Sequence, residues 1–188
     1  MNILLIDYLD SFTFNLSHYV KMMGMNCETV RNSDEKLIEK CQKADAIILS
    51  PGPGNPIDTK NLLSIIEKFY LQKPILGICL GHQALGIFFG ANLIQMKYPM
   101  HGKVSKIFWK ENYMSENLPK EMDVCRYHSL VLENISTCLE VVANTSQNEV
   151  MAFVHKSLPI VGIQFHPEAI LTQFGKEIIN NWLKHIIF

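Results

Sequence analysis

The segment Gly77-Ile78-Cys79-Leu80-Gly81-His82-Gln83 carries the strongest chemical signal in the sequence. A cysteine between two glycines, after an apolar run and before a helical stretch, has the form of a nucleophile elbow. The glycines let neighbouring backbone pack closely against the turn. Such an elbow lifts the sulfur above the carboxyl ends of the strands, where open α/β sheets bind ligands. It also seats the sulfur at a helix N-terminus, whose partial positive charge favours the thiolate. The Leu80 amide then points to where an oxyanion would develop. A free cysteine is more often a buried core residue. The elbow reverses that expectation for Cys79, whereas Cys27, Cys41, Cys125 and Cys138 have no comparable setting and are assigned to packing or surface.

A cysteine nucleophile needs a base and a group to orient that base. Among seven histidines the useful one is His166, in Gly162-Ile163-Gln164-Phe165-His166-Pro167-Glu168. An apolar strand runs into it, Pro167 stiffens the turn, and Glu168 is spaced to accept the far ring N–H and set the tautomer. Ser50-Pro51-Gly52-Pro53-Gly54 follows another apolar run and makes a stiff loop whose exposed amides suit a second oxyanion donor. It lacks the Gly-Lys-Ser/Thr ending of a phosphate-binding loop. His101 and His128 have no carboxylate at a short fixed spacing, and His18, His82, His155 and His185 are read as core or surface residues. With no HExxH, no spaced Cys/His quartet and no acidic cluster, no metal is expected on this chain.

The elements that must hold these residues can be read from the apolar runs. Asn2–Asp7, a segment around Cys27–Arg31, Ala46–Leu49 and Ile75–Ile78 read as buried strands. Between them lie helical stretches: from a Ser11 cap to about Met23 with Phe14, His18 and Met22 at helical spacing, Asp34–Lys43, Lys60–Leu71, and Leu80–Phe89. This alternation predicts an α/β fold with an open, mostly parallel, doubly wound sheet. From Ala91 shorter strands follow near Leu93–Met96, Val104–Trp109, Leu139–Thr145, Val150–His155 and Ile160–Phe165, with some antiparallel pairing expected in this C-terminal half. A final amphipathic helix spans about Thr172–Ile187.

Length and charge bound the class. The 188 residues, 48% of them hydrophobic, are enough for one domain with a sizeable core, here taken as 1–188. Lys+Arg 17 against Asp+Glu 18 leaves a formal net charge of -1, so no basic field points to nucleic acid or an anionic membrane. Apolar stretches fall short of the roughly 18 residues of a membrane span, and the start lacks the pattern of a secretory signal. A cytoplasmic location is expected. Five cysteines, an odd number without a CxxC pair, argue against a disulfide framework.

Taken together, GICLGHQ, SPGPG and HPE resemble the class I (triad) glutamine amidotransferases over nearly the whole chain. The resemblance implies the flavodoxin-like fold of that family, with Cys79 attacking the glutamine side-chain amide, His166 shuttling protons and Glu168 holding His166. The γ-glutamyl thioester's oxyanion would meet the backbone amides of Gly54 and Leu80. Glutamine-binding positions carry over onto Gly52, Pro53, Gly54, Gln83, Ser129 and Leu130. The segments Asp10–Asn15, Met100-His101-Gly102-Lys103 and Arg126–Leu130 resemble the small subunits (component II) of anthranilate synthase and p-aminobenzoate (aminodeoxychorismate) synthase. RYHSLVL and IQFHPEAILT lean toward the p-aminobenzoate branch, with the anthranilate branch, or service to both, as the alternative.

By the same resemblance Met100, His101, Gly102 and Lys103 face a chorismate-binding synthase partner, component I. That partner would take the ammonia and carry any Mg²⁺, leaving no cofactor on this chain. The loops near Pro53–Pro56 and Pro99–Lys103 are candidate transmitters of partner docking. Two departures from the family pattern are Tyr8-Leu9, where Asn-Tyr is usual, and Ala169, where Ser often follows the Glu. Less favoured alternatives are a Cys-dependent peptidase, a γ-glutamyl hydrolase, an amidotransferase for another synthase, or a non-enzymatic binding module.

Overall fold

The computed structural model describes residues 1–187. Its first half alternates strand and helix: β1 (Asn2–Asp7), α1 (Thr13–Met22), β2 (Asn26–Arg31), α2 (Leu37–Lys43), β3 (Ala46–Leu49), α3 (Leu62–Phe69), β4 (Ile75–Ile78) and α4 (Leu80–Phe88). The second half is strand-rich: β5 (Asn92–Gln95), β6 (Lys103–Trp109), a 3-10 turn at Tyr113–Ser115, β7 (Glu121–Arg126), β8 (Leu130–Glu133), β9 (Leu139–Thr145), β10 (Val150–His155) and β11 (Ile160–Ile163). Helix α5 (Gly175–Ile187) follows.

Nine strands form one sheet in the order β2-β1-β3-β4-β11-β10-β9-β6-β7, and β5 pairs with β8 in a separate two-stranded ribbon. Strands β2 to β11 in that order run parallel, and the β10-to-β7 side is antiparallel. The central strands β3, β4 and β11 are buried along their whole length. Their apolar runs, rich in Ile, Leu and Val and without polar alternation, have that cause, since helices cover both faces. Leu16 and Val20 of α1 pack with Ile178, Ile179 and Trp182 of α5 on one face. Leu37, Leu62, Ile66, Ala84 and Leu85 of α2, α3 and α4 pack on the other.

The α/β class, the parallel strands and the antiparallel pairing in the C-terminal half agree with the sequence reading. Three local expectations do not. Ser11 does not cap α1: the helix begins after Phe12, and it is the Asp10 carboxylate that accepts the Phe12 N–H at 2.8 Å. The α1 stripe of Phe14 and Met22 faces outward, 67% and 58% exposed, while Thr13, Leu16, Ser17 and Val20 face the sheet. Both stripes have helical period; the inward one carries small Thr13 and Ser17, which let the helix approach the strands closely. Strands β7 and β8 are additional to the sequence-based elements. In β7, charged Glu121, Asp123 and Arg126 interrupt the apolar pattern, and Arg126 is nevertheless buried.

No helix among the described residues is long and apolar enough to cross a membrane.

Candidate active site

The candidate nucleophile sits in the turn from β4 into α4. Cys79 has φ +50° and ψ −98°, outside the regions that L-residues favour. Its N–H is held by Ile163 O of β11 at 2.8 Å, and its carbonyl accepts the first helical bond from the Gln83 N–H at 3.0 Å. A strained non-glycine residue of this kind costs on the order of 1–3 kcal/mol and persists only where its surroundings over-determine it. The flanking glycines supply that fixing. A Cβ on Gly77 would lie 2.5 Å from Gly81 C, and one on Gly81 would lie 2.6 Å from Leu49 O at the end of β3. Helix α4 therefore lies with bare backbone against two strands, and any side chain there would push the elbow outward.

The SPGPG loop follows β3 and meets the elbow. A Cβ on Gly52 would come within 2.8 Å of the Leu80 side chain and 2.5 Å of Tyr8 O, so the loop runs tightly between elbow and β1. Ser50 fixes its start, donating to Pro51 O at 2.6 Å and accepting the Tyr8 N–H at 2.9 Å. Gly54 has φ +86°, a conformation glycine adopts without strain.

His166 arrives from the turn after β11, the strand that pairs with β4 in register, Gly162 opposite Gly77. Its backbone N–H donates to Cys125 O at 3.0 Å and its carbonyl accepts the Thr172 hydroxyl at 2.6 Å, so the turn is pinned to β7. Nδ1 bonds Glu168 Oε1 at 2.6 Å, and both side chains are almost wholly buried. The carboxylate can only accept, so Nδ1 carries the proton and Nε2 is left for the sulfur. Nε2 has no hydrogen-bond partner among the described residues. Burial opposes a charge on His166, but the Cys79 sulfur and then the Glu168 carboxylate outweigh it and hold the imidazole well above the ordinary histidine value. Tyr127 and Phe12 stand edge-on to the imidazole, with ring centroids at 5.1 and 6.5 Å, and shield it from water. Such an arrangement can store an imidazolium beside a sulfur nucleophile, deliver its proton to a leaving amine and recover one from water.

A second polar array lies behind the elbow. Leu130 O accepts from Gln83 Nε2 at 3.1 Å and bonds His128 Nδ1 at 2.9 Å. Because a carbonyl only accepts, His128 Nδ1 holds the proton and its bare Nε2 takes the bond from Arg126 Nε at 3.0 Å. Burial, with Arg126 adding to it, pushes the His128 pKa down to about 4, in keeping with this neutral tautomer. Arg126, fully buried, pairs with Glu149 at 2.8 Å. His82 is buried against Phe153, and desolvation pushes it down to about 3.

Cys79, His166 and Glu168 thus come together with Gln83, Leu130 and the Gly52–Gly54 loop around one place at the carboxyl ends of the strands. Ser129 is exposed beside them, its carbonyl tying down the Met96 N–H at 2.8 Å. The segment Met100–Lys103 reaches the same rim: Met100 N–H bonds His128 O at 2.9 Å, and the His101 ring packs on Tyr127 with centroids at 5.7 Å. Sequence reasoning does not single out Tyr127 and Phe12 as flanks of the imidazole, the Arg126–Glu149 pair, or Gln164. Nor does it place an Asp10 carboxylate oxygen within 4.8 Å of the ligating atoms of His166 and Glu168, where the structure has one. These depend on contacts between distant segments and leave no local pattern.

Comparison with known proteins places the chain in a family. The class-I glutamine amidotransferase family matches residues 4–186. The chain is 41% identical to "Anthranilate synthase component 2" of Mycobacterium tuberculosis, over 97% of this chain and 82% of that protein. It is 39% identical to "Aminodeoxychorismate/anthranilate synthase component 2" of Bacillus subtilis, over 97% and 95%. Among solved structures, that of a putative GMP synthase component from Thermoplasma acidophilum superposes with a TM-score of 0.89 at 27% identity, covering 100% of this chain and 94% of that one. The relatives' names favour the anthranilate alternative over the p-aminobenzoate branch toward which RYHSLVL and IQFHPEAILT lean. A strained cysteine elbow, a carboxylate-bound histidine and a match over nearly all of the sequence lead to one conclusion: the chain belongs to the class I glutamine amidotransferases.

Proposed function

We propose that this chain is the glutamine-hydrolysing subunit of a chorismate-using synthase, with anthranilate synthase as its first assignment. The observation that carries the chemistry is the buried 2.6 Å hydrogen bond that His166 Nδ1 donates to Glu168, which leaves Nε2, unpartnered among the described residues, for Cys79. The Cys79 thiolate attacks the glutamine side-chain carbonyl, and the oxyanion is met by the amides of Leu80 and Gly54. His166 gives its Nε2 proton to the departing nitrogen, ammonia leaves, and a γ-glutamyl thioester remains. Water then attacks the thioester, passing a proton to His166, and glutamate is released with the thiolate restored. Glu168 keeps the imidazole in one tautomer throughout. Gly52, Pro53, Gly54, Gln83, Ser129 and Leu130 form the glutamine-binding surface.

The names of the relatives support delivery of the ammonia to a separate component I that binds chorismate; any Mg²⁺ would serve that partner. The Met100–Lys103 segment, exposed from His101 onward and touching His128 and Tyr127, is the proposed contact with it. Service to an aminodeoxychorismate synthase as well is the second reading, favoured by the double name of the Bacillus subtilis relative. The test is glutamate release from glutamine with each large subunit plus chorismate, using Cys79→Ser as blank. Cys79-dependent release stimulated by the anthranilate large subunit supports the first assignment. Stimulation only by the p-aminobenzoate-type subunit overturns it, and silence with both removes the chorismate reading altogether.

A further inference from the structure

The hydrogen bonds behind the elbow have a direction, and the direction ends on sulfur. Leu130 O is an obligate acceptor, so the Gln83 side chain must turn its NH₂ toward it, at 3.1 Å. The second N–H of the same group meets Gln164 Oε1 at 3.2 Å. With its oxygen engaged there, Gln164 has only its NH₂ to offer on the other side, where Nε2 stands 3.8 Å from Cys79 Sγ. Gln164 is wholly buried, and its backbone N–H is tied to Met151 O at 2.8 Å, so neither water nor main-chain movement competes for this amide. A single backbone carbonyl thereby fixes the orientation of two amides in series.

We propose that Gln164 is a positioning residue for the nucleophile, presenting to the Cys79 sulfur an N–H whose orientation is set through Gln83 by the Leu130 carbonyl. The role rests on the reading of Cys79 as the nucleophile. A donor aimed at sulfur favours thiolate over thiol, because the thiolate accepts the bond more strongly. The other groups around the sulfur are His166 from the turn after β11, with Glu168 and Asp10 behind it, the N-terminus of α4, and the neutral His82 and His128 farther off. Only the α4 N-terminus and the imidazolium share the sign of Gln164's effect. Of the two side chains that share it, Gln164 is the one that carries no formal charge and never titrates.

The experiment follows the pH dependence of iodoacetamide alkylation at Cys79 in the full-length chain. Reaction is read by peptide mass spectrometry with half-buried Cys138 as internal reference, for wild type, Gln164→Leu, Gln164→Glu and Gln83→Leu. Gln164→Leu removes the donor and should move the midpoint of the rate profile up by about one pH unit, with a reaction about threefold slower on the acid side and a plateau about threefold higher, because the more basic thiolate is the better nucleophile. Gln164→Glu keeps the shape but turns an acceptor to the sulfur, so its shift should be larger. Gln83→Leu frees the Gln164 amide to rotate, so its shift should be smaller. Midpoints equal to wild type in folded Gln164→Leu and Gln164→Glu overturn the proposal, and if the leucine variant does not fold, the near-isosteric glutamate variant decides. If wild-type Cys79 reacts no faster than Cys138 at neutral pH, the nucleophile reading itself falls and takes this role with it. A fast wild-type Cys79 with unmoved variants removes Gln164 alone.

Discussion

Two histidines kept neutral inside the fold should make this protein sensitive to mild acid. His82 is held down to about 3 chiefly by burial, and His128 to about 4 by burial with Arg126 beside it. In the unfolded chain each titrates near the ordinary histidine value of about 6.5. Between those values the unfolded state binds more protons than the native one, so stability is full above about 6.5 and is lost as pH falls toward the folded values. At about 1.36 kcal/mol per pH unit, moving from pH 7 to pH 5 removes about 2 kcal/mol for each histidine and about 4 kcal/mol together. That is a large part of a typical stability of roughly 5–15 kcal/mol. His166, whose folded value is raised, acts with the opposite sign. Its contribution is complete below about 6.5 and is lost as pH climbs through the folded value, so stability should peak near neutrality. The assay is urea unfolding at pH 5, 6 and 7 for wild type and His82→Leu. The leucine is chosen because neither ring nitrogen of His82 has a hydrogen-bond partner among the described residues. The variant should lose about 2 kcal/mol less stability over this range than wild type does, whatever its absolute stability. Parallel curves for the two proteins would refute the reasoning, since the pH dependence would then come from somewhere other than the buried imidazole.

Gly81→Ala should lower stability by about 1–3 kcal/mol and remove most glutamine hydrolysis, because the new methyl group meets Leu49 O at 2.6 Å and must displace the elbow. Thermal unfolding and glutamate release check it together; full activity with lowered stability would show that the elbow tolerates the shift. On the proposed mechanism, in which Glu168 orients and His166 transfers protons, Glu168→Ala should slow hydrolysis less than His166→Ala, with the rate constants at saturating glutamine as the comparison. Equal losses would count against those roles.

What the sequence makes legible is what lies close together along the chain. Gly77, Cys79 and Gly81 span a single turn, so their spacing alone describes the elbow. His166 and Glu168 share a proline-stiffened turn in the same way. The buried strands announce themselves because a run such as Ile47-Ile48-Leu49 has no other stable home. Strand β7 escapes a local reading because Arg126 is buried as an ion pair with Glu149, a partner from a distant segment. The inward face of α1 is ambiguous in sequence because Phe14 and Leu16 are both apolar, and only the sheet beneath decides between them. Gln164 looks like any other residue of its strand end until Leu130, on another strand, orients its amide.

Strand β11 has a consequence for how the molecule is made. It is the last strand among the described residues, yet it lies at the middle of the nine-stranded sheet, parallel to β4 on one side and antiparallel to β10 on the other. Until Ile160–Ile163 has left the ribosome, β4 and β10 present two open strand edges of apolar sequence, the kind of surface that recruits other chains. The closing contacts are also distant in sequence, which slows their formation. One insertion event then joins the two halves of the sheet, anchors the Cys79 N–H on Ile163 and brings His166 to the sulfur. A growing chain therefore holds Cys79 without His166, and the proposed chemistry can begin only with completion of the sheet.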